Sequence, residues 1–234
     1  MRDGYLDLCP DFEEKLTPIQ FLCESAPMIA IYDTIWRPLG YRFTSERSFP
    51  EDLDRITALM DPARHSRILD LGCGPGNFTR SIAGHGPHVV GFDLAPRMLK
   101  RAVALTPASA YPNVTYIRGN ALEMPFEAGA FDAVICCAAL HLMSDYERVL
   151  AEVSRVLRPG GEFMCQTIAT PGRAPLWLRL SDRVMHYGYF ETAQLKSQLI
   201  DLGLKIVVEE PSSVSYIFRA AKTIGSPEMA ARAR

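Results

Sequence analysis

Short apolar runs alternate with amphipathic segments from about residue 67 onward. This alternation is typical of parallel βαβ units, in which each strand is buried on both faces and each helix covers one face of the sheet. We therefore predict strands at Arg67–Leu71, His88–Asp93, Asn113–Arg118 and Phe131–Cys136.

The C-terminal part of the chain completes the predicted sheet. A fifth strand is predicted at Gly161–Ile168, after a proline and paired glycines at 158–161 that end the preceding helix. Two further strands, Leu204–Glu209 and Ser213–Arg219, are separated by only three residues. Because this connection is too short for a parallel crossover, the last strand must run antiparallel to its predecessor. The prediction is an α/β fold with a seven-stranded, mostly parallel sheet, an antiparallel last strand and helices on both faces.

Two segments do not follow this alternation. Residues 1–55 and 170–190 are rich in aromatic side chains that have no place in the strand pattern. We predict that residues 1–55 form a helical cap or lid, and that residues 56–234 form the main domain with an insertion at about 170–190 that completes the substrate pocket. The aromatic residues of these segments include Phe21, Tyr32, Trp36, Tyr41, Phe43, Phe49, Trp177, Tyr187, Tyr189 and Phe190.

The composition narrows the classes of function. The chain has 234 residues, with 25 Lys and Arg against 27 Asp and Glu, and its formal net charge of −2 provides no general attraction for a polyanion. Its longest apolar run, Ala133–Leu140, is under half of the roughly 18 to 20 residues that cross a bilayer. We expect a small-molecule partner, no nucleic acid and no membrane span, and we leave the oligomeric state open.

Cysteine usage and the first residues bear on compartment and metal binding. The six cysteines form no C-x-x-C pair, and four of them lie in apolar stretches where a free thiol behaves as a small hydrophobe. The first residues do not show the charged and then apolar pattern of a signal peptide. We expect a cytoplasmic protein in a reducing compartment, without a metal site.

A glycine-rich segment follows the first predicted strand. Asp70 to Gly76 carry glycines in the pattern G-x-G-x-G at the carboxyl end of a strand, where open α/β sheets bind ligands. A tight strand–helix turn would also explain such a loop, so the loop alone is a weak signal. Asp93 ends the second strand about 20 residues further on, and its carboxylate can accept hydrogen bonds from both hydroxyls of a ribose. The loop and Asp93 together indicate a nucleoside-containing cofactor.

Four motifs, in order, resemble those of the class I S-adenosylmethionine-dependent methyltransferases. They are similar in particular to the methyltransferase type 11 group, which includes the ubiquinone/menaquinone C-methyltransferase-like enzymes, and they cover about residues 66–168. The resemblance implies a Rossmann-like sheet with an antiparallel last strand, S-adenosylmethionine as the cofactor and S-adenosylhomocysteine as the product. The motifs are Ile68–Gly76; Val90–Asp93 followed by Met98, Leu99 and Ala102; Gly119–Phe126; and Phe131–Val134 leading to Leu157–Gly161.

The resemblance also implies how the cofactor is held. The loop from Gly72 to Gly76 would hold the methionine moiety, Asp93 would bind the ribose, and Leu94 and Met98 would contact one face of the adenine. Asn120, where the family usually has Asp, would meet the adenine amino group through its acceptor oxygen but without the charge. Tyr32 resembles a tyrosine of the family's N-terminal helix that contacts the methionine end, although an ordinary apolar helix face explains its position equally well. The predicted cofactor-binding residues are Asp70, Gly72, Cys73, Gly74, Gly76, Asp93, Leu94, Met98, Asn120, Ala121, Cys137 and Tyr32.

Two histidines are candidates for a general base. His141 lies just past the fourth strand, at the carboxyl edge of the sheet, where the family often places a His or Glu facing the transferred methyl group. An imidazole there can take a proton from a phenol, enol or hydroxyl as it attacks. His141 can also cap the following helix or shape the pocket. His186, in the aromatic insertion, is the rival candidate.

The predicted activity is O- or C-methylation of a small, largely apolar acceptor such as a quinol or a phenolic, polyketide-like or prenylated metabolite. Such an in-line displacement depends on alignment and on the exclusion of water, and it requires no metal. The charge balance disfavours an RNA acceptor, and the glycine spacing and the lack of a Tyr-x-x-x-Lys pair disfavour a nicotinamide-dependent reductase. The open alternative is a protein of this fold that binds the cofactor as a regulator or uses it in a non-methylating reaction such as a cyclisation.

Overall fold

Nine strands in one sheet and six α-helices make up the described part of the chain. The computed structural model describes residues 3–10, 25, 35, 41, 45–172, 174–185, 188–212 and 214–224. Among the described helices, none is both long enough and apolar enough to cross a bilayer. The strands are β1 (Leu6–Asp7), β2 (Arg67–Leu71), β3 (His88–Asp93), β4 (Val114–Arg118), β5 (Phe131–Cys137), β6 (Leu157–Thr170), β7 (Phe190–Glu191), β8 (Leu204–Pro211) and β9 (Ser215–Lys222). The helices are α1 (Phe49–Met60), α2 (Asn77–Ala83), α3 (Pro96–Leu105), α4 (Tyr146–Val156), α5 (Leu176–Met185) and α6 (Thr192–Asp201), with short 3₁₀ turns at Pro62–Arg64 and Leu140–Leu142.

The strands lie in the order β1-β4-β3-β2-β5-β6-β9-β8, and β7 pairs with the carboxyl end of β6. Neighbouring strands from β1 to β6 run parallel, whereas β9 runs antiparallel to both β6 and β8. The seven predicted strands correspond to β2–β6, β8 and β9, so the mostly parallel α/β fold with a reversed last strand is confirmed. The carboxyl ends of the parallel strands lie at one edge of the sheet, where the connecting loops meet.

The structure differs from the predicted strands in two ways. The sequence pattern does not predict β1 and β7, because a strand of two residues is too short to show alternation. β6 begins at Leu157, which pairs with Phe131, and the register then shifts so that Glu162 pairs with Ala133. The turn predicted at 158–161 therefore lies inside β6 as a bulge, in which Gly160 has a positive φ of 73°.

Alternate residues of the central strands are buried on opposite faces of the sheet. Leu69 and Leu71 of β2 pack with the apolar side of α4. Ile68, between them in sequence, packs on the other face with α1 and α2. The four residues of α4 that its periodicity places on the apolar face are fully buried, and each contributes about 1.5–3 kcal/mol of transfer free energy. They are Val149, Leu150, Val153 and Val156.

Much of the predicted N-terminal cap lies outside the described residues, including Tyr32 and Trp36. In its described part, Ser48 and Glu51 form a capping box at the start of α1. α1 spans the predicted boundary at residue 55 and packs on the sheet through Ile56. The division into a cap and a main domain stays a prediction.

Candidate functional site

A cavity of about 230 Å³ lies at the carboxyl ends of β2, β3, β4 and β5. Its lining comes from the glycine loop after β2, the turn after β3, residues 119–122 after β4 and residues 137–139 at the end of β5. The structure thus brings together side chains and loops from four separate strand ends. Ten predicted cofactor-binding residues line the cavity: Asp70, Gly72, Cys73, Gly74, Asp93, Leu94, Met98, Asn120, Ala121 and Cys137.

The glycine loop is shaped by contacts with neighbouring elements. The N–H of Gly72 donates to the carbonyl of Phe92 at 2.8 Å. Gly72 has a φ of +68°, and a Cβ there would lie 2.5 Å from the Cβ of Ala139. Gly76 has a φ of +76°, and a Cβ there would collide with the hydroxyl of Tyr116. Gly72 is therefore required by the close approach of the loop after β5, whereas Gly76 is required by packing and does not belong to the lining that the structure describes.

Asp93 forms hydrogen bonds with the loop after β2 and with the start of α3. Its Oδ2 accepts a hydrogen bond from the Gly74 N–H at 2.7 Å, and its Oδ1 accepts one from the Ala95 N–H at 2.8 Å. Ala95 is the N-cap of α3, and its side chain cannot accept a hydrogen bond. The carboxylate of Asp93 accepts the Ala95 N–H at this end of the helix. Burial raises the pKa of Asp93, and the backbone hydrogen bonds oppose this rise. Each carboxylate oxygen has a second lone pair that can accept a hydrogen bond from a ligand hydroxyl.

The turns after β3 and β4 form the predicted adenine end of the cavity. Leu94 and Met98 give it an apolar wall that suits a flat heteroaromatic base. The Oδ1 of Asn120 accepts a hydrogen bond from the Leu122 N–H at 2.9 Å, so this side chain is held within its own turn. The amide oxygen retains a second lone pair for an adenine N–H.

Asp70 is a buried carboxyl group in the cavity lining. Only 2% of Asp70 is exposed, and its Oδ2 accepts a hydrogen bond from the Thr79 hydroxyl at 2.5 Å. Burial raises the pKa of Asp70 to about 7, and the negative charge of Asp93 adds to this rise. Near neutral pH, Asp70 is therefore only partly ionised, and a cation bound beside it would favour the ionised form.

Two aromatic residues from the N-terminal region also line the cavity, and neither is among the site residues predicted from the sequence. They are Tyr41 and Phe49. The Tyr41 hydroxyl donates to Gln166 Oε1 at 2.7 Å, and Gln166 Nε2 donates to Asp52 Oδ2 at 2.9 Å. The Ser45 hydroxyl also donates to Asp52 Oδ2, at 2.7 Å. A glutamine in the middle of the apolar strand β6 is the sequence signal that could have indicated this network.

His141 lies beside the cavity, in the 3₁₀ turn after β5. Its neighbours Ala139 and Leu142 line the cavity as the structure describes it, but His141 does not. Its Nδ1 is 3.3 Å from Thr167 Oγ1 on β6. Burial lowers the pKa of His141 to about 4, so the imidazole is neutral at physiological pH. The other predicted site residues, Tyr32 and His186, lie outside the described residues.

The cysteines of the described region are free thiols. Burial raises the pKa of Cys73, Cys137 and Cys165 well above that of an exposed thiol, so these side chains stay protonated. Within the described residues, no group of three His, Cys, Asp or Glu side chains is arranged to hold a metal ion. Cys73 and Cys137 therefore contribute to the cavity as uncharged side chains and through their backbone.

Comparison with known protein families matches residues 69–165 to a family described as "Methyltransferase domain". Residues 69–165 are a methyltransferase domain. The chain is 39% identical to a demethylmenaquinone methyltransferase from Lactococcus lactis subsp. lactis (strain IL1403), over 53% of this chain and 57% of that protein. It therefore spans little more than half the length of this relative.

Solved structures with the fold of this methyltransferase domain include two with different described roles. A putative methyltransferase from Bacillus halodurans C-125 superposes with a TM-score of 0.67 at 18% identity, over 74% of this chain and 99% of that chain. The [4+2]-cyclase SpnF superposes with a TM-score of 0.64 at 20% identity, over 77% of this chain and 85% of that chain. At these identities, the likeness concerns the fold alone.

The family match confirms the predicted methyltransferase group, and S-adenosylmethionine is accordingly the cofactor of this methyltransferase domain. The residues present fit such a molecule. Gly72 has no side chain, so the loop backbone is accessible to a ligand. Asp93 can still accept hydrogen bonds from ribose hydroxyls, and Leu94 and Met98 form an apolar wall for adenine.

The first prediction concerns Asp93. Asp93→Asn should weaken S-adenosylhomocysteine binding by about 30- to 100-fold, because the amide keeps only one acceptor oxygen, so one hydrogen bond from the ribose is lost and the other loses its charge assistance. Isothermal titration calorimetry measures this change. The matched control is Asp132→Asn, which alters a carboxylate that accepts hydrogen bonds from Ser66 and Arg67 at the opposite edge of the sheet. Equal affinities for the wild type and Asp93→Asn would refute the ribose role.

The second prediction concerns the raised pKa of Asp70. If the ligand's amino group binds beside Asp70, its positive charge lowers the pKa of about 7, and binding releases a proton. Affinity for S-adenosylhomocysteine should then rise by up to about tenfold from pH 6 to pH 8. Calorimetry in two buffers with different ionisation enthalpies measures the released proton directly. Asp70→Asn should abolish both the pH dependence and the proton release, and their persistence in this variant would assign them to another group.

Proposed function

We propose that this protein transfers a methyl group from S-adenosylmethionine to a small, largely apolar acceptor with an aromatic or quinol ring. The observation that carries this proposal is the composition of the cavity lining outside the predicted cofactor set. That part of the lining contains Tyr41, Phe49 and Phe78 together with Leu142 and Met143. Aromatic and aliphatic walls of this kind bind a flat apolar molecule and exclude water.

The contribution of the protein to such a reaction would be alignment. When bound, S-adenosylmethionine supplies an electrophilic methyl group on a sulfonium. The glycine loop and Asp93 would hold the cofactor in the cavity, and the hydrogen bond from Tyr41 to Gln166 fixes an aromatic side chain in the same lining. Alignment and exclusion of water account for most of the acceleration that a displacement of this type needs.

The acceptor class is supported by the relatives as well as by the lining. The Lactococcus protein that shares 39% identity with this chain is named a demethylmenaquinone methyltransferase. A reduced quinone combines an apolar ring system with an ionisable hydroxyl, which fits an apolar cavity beside a neutral imidazole. We propose a quinol-type acceptor on these two grounds. We also propose that residues 1–55 and the insertion at 170–190 complete the acceptor pocket, since Tyr41 and Phe49 already line it.

The third prediction tests the reaction. Incubation with methyl-labelled S-adenosylmethionine and a short-chain demethylmenaquinol should give a labelled, extractable product, whereas RNA should stay unlabelled. Gly72→Ala should lower the rate by more than about tenfold, because its Cβ would press against Ala139 at a residue with positive φ. Gly84→Ala is the matched control, because Gly84 is in the right-handed helical conformation and its Cβ would make ordinary contacts.

A second candidate is a non-methylating reaction such as a cyclisation. The observation that favours it is the fold likeness to the [4+2]-cyclase SpnF. The two candidates differ in their use of the cofactor, because methyl transfer consumes one S-adenosylmethionine per turnover and a cyclisation consumes none. Product formation without release of S-adenosylhomocysteine would favour the cyclase and exclude methyl transfer for that substrate.

The fourth prediction concerns His141 as the base. His141→Ala should lower turnover by about 100-fold and leave S-adenosylhomocysteine affinity within a few-fold, since proton abstraction matters only in the transition state. Because the pKa of His141 is lowered to about 4, its protonation should reduce the rate only near that pH and not near the ordinary histidine value. Thr167→Val removes the partner of Nδ1 and should lower turnover less than His141→Ala. Nearly unchanged turnover in His141→Ala would exclude the base role while leaving methyl transfer intact.

A further inference from the structure

Helix α5 exposes apolar side chains on its surface. Leu176, Leu180 and Val184 are 66%, 53% and 66% exposed, and Trp177 is 45% exposed. We call these four residues the α5 face. They account for four of the ten large apolar side chains that are exposed in the described part of the chain, so the exposure is concentrated on one short helix.

The α5 face points away from the body of the protein. Successive helix residues are rotated by about 100°, which places the four side chains within an arc of about 100°. Leu178 lies about 160° from Leu180 on the same helix. Leu178 is fully buried and packs with Ala174 and Val214. The helix is therefore anchored by one side and presents an apolar stripe on the other.

Two arginines border the α5 face on one side. Arg179 and Arg183 follow Leu176 and Leu180 by three residues each, and within the described residues neither forms an ion pair. The one acidic residue of the helix, Asp182, accepts a hydrogen bond from the N–H of Gly188. Because the formal net charge of the whole chain is −2, these two cations are a local feature of this surface.

The α5 face lies at the edge of the sheet that holds the cavity. α5 follows the carboxyl end of β6, and β5 and β6 run parallel. The segment after α5 approaches the 3₁₀ turn beside the cavity, since a Cβ at Gly188 would lie 3.0 Å from the carbonyl oxygen of His141. A surface that docks through α5 would therefore be close to the site.

We propose that the α5 face docks on the surface of an anionic lipid bilayer. An amphipathic helix with aliphatic residues, an exposed tryptophan and flanking arginines binds at the level of the lipid headgroups, where the apolar side chains enter the acyl boundary and the arginines meet phosphate. α5 has ten residues and is about 15 Å long, so it would lie in the interface and not span the bilayer. A second copy of the chain seated on a twofold axis would bring the same arginines together, which disfavours that occupant. The proposal goes beyond the proposed function and does not depend on the identity of the acceptor.

The fifth prediction tests docking with the full chain in the absence of cofactor and acceptor. The protein should co-sediment with vesicles of mixed phosphatidylglycerol and phosphatidylcholine, and much less with phosphatidylcholine alone. Leu180→Glu should weaken binding by at least about tenfold. The double variant Arg179→Gln, Arg183→Gln should lower affinity for the anionic vesicles by about 30-fold and reduce the dependence on salt. The matched control is Ile200→Glu, which adds the same charge at an apolar position of another helix, α6, that is at least as exposed as Leu180.

Tryptophan fluorescence provides a second readout of the same surface. The chain has two tryptophans, so the difference between the wild type and Trp177→Phe isolates the emission of Trp177. This emission should shift to shorter wavelength when anionic vesicles are added. Three results would overturn the proposal: no binding to anionic vesicles, equal losses in Leu180→Glu and Ile200→Glu, or a lipid-independent dimer that Leu180→Glu dissociates. Methyl transfer in solution is measured separately, so the failure of either proposal is distinguishable from that of the other.

Discussion

The carboxylate of Asp93 is the group on which the arrangement of the site depends. It accepts hydrogen bonds from Gly74, in the loop after β2, and from Ala95, where α3 begins, so three elements meet at one side chain. If the carboxylate were absent, two part-buried backbone N–H groups would lose their partner, at a cost of at most about 1–3 kcal/mol each. The partly desolvated charge is tolerated because these hydrogen bonds replace some of its water contacts. The same group therefore stabilises the loop and offers acceptor capacity to a ligand, and fold and site cannot be changed independently at this position.

A second buried carboxylate determines how the N-terminal region meets the sheet. Asp52 is completely buried, and it is stabilised by Gln166 and Ser45, with Arg47 at 3.5 Å. Because Gln166 donates its amide N–H to Asp52, its oxygen is left to accept the hydroxyl proton of Tyr41. A chain of polar contacts thus runs from the interior of α1 to an aromatic wall of the cavity. The hydrogen bonds of this network offset the cost of removing its polar groups from water only while all of the residues in the network are present.

The sequence predicted those features that depend on local pattern. The alternating apolar runs located seven strands, the short connection before β9 gave its direction, and the spacing from Gly72 to Asp93 located residues that line one cavity. Features that depend on contacts between residues far apart in the sequence could not be predicted from local pattern. Tyr41 and Gln166 are 125 residues apart and nothing local in either indicates the other. Gly76 shares the loop pattern with Gly72, but its neighbour is Tyr116, a partner that only the packed sheet reveals. The lowered pKa of His141 likewise arises from burial, which residue type and spacing do not report.

The close approach of Gly72 to Ala139 has a consequence for the evolution of the cavity. The loops after β2 and β5 both line the cavity. They are so close at this point that a Cβ at position 72 would collide with the methyl group of Ala139. Any larger residue at position 139 would press on the glycine loop, and the Met143 methyl group also lies close, at 3.4 Å from the position of a Cβ at residue 72. Leu142 lines the same cavity but is not among the atoms within 4 Å of that position. The cavity can therefore change shape more freely through position 142 than through positions 139 and 143, whose side chains constrain the glycine loop.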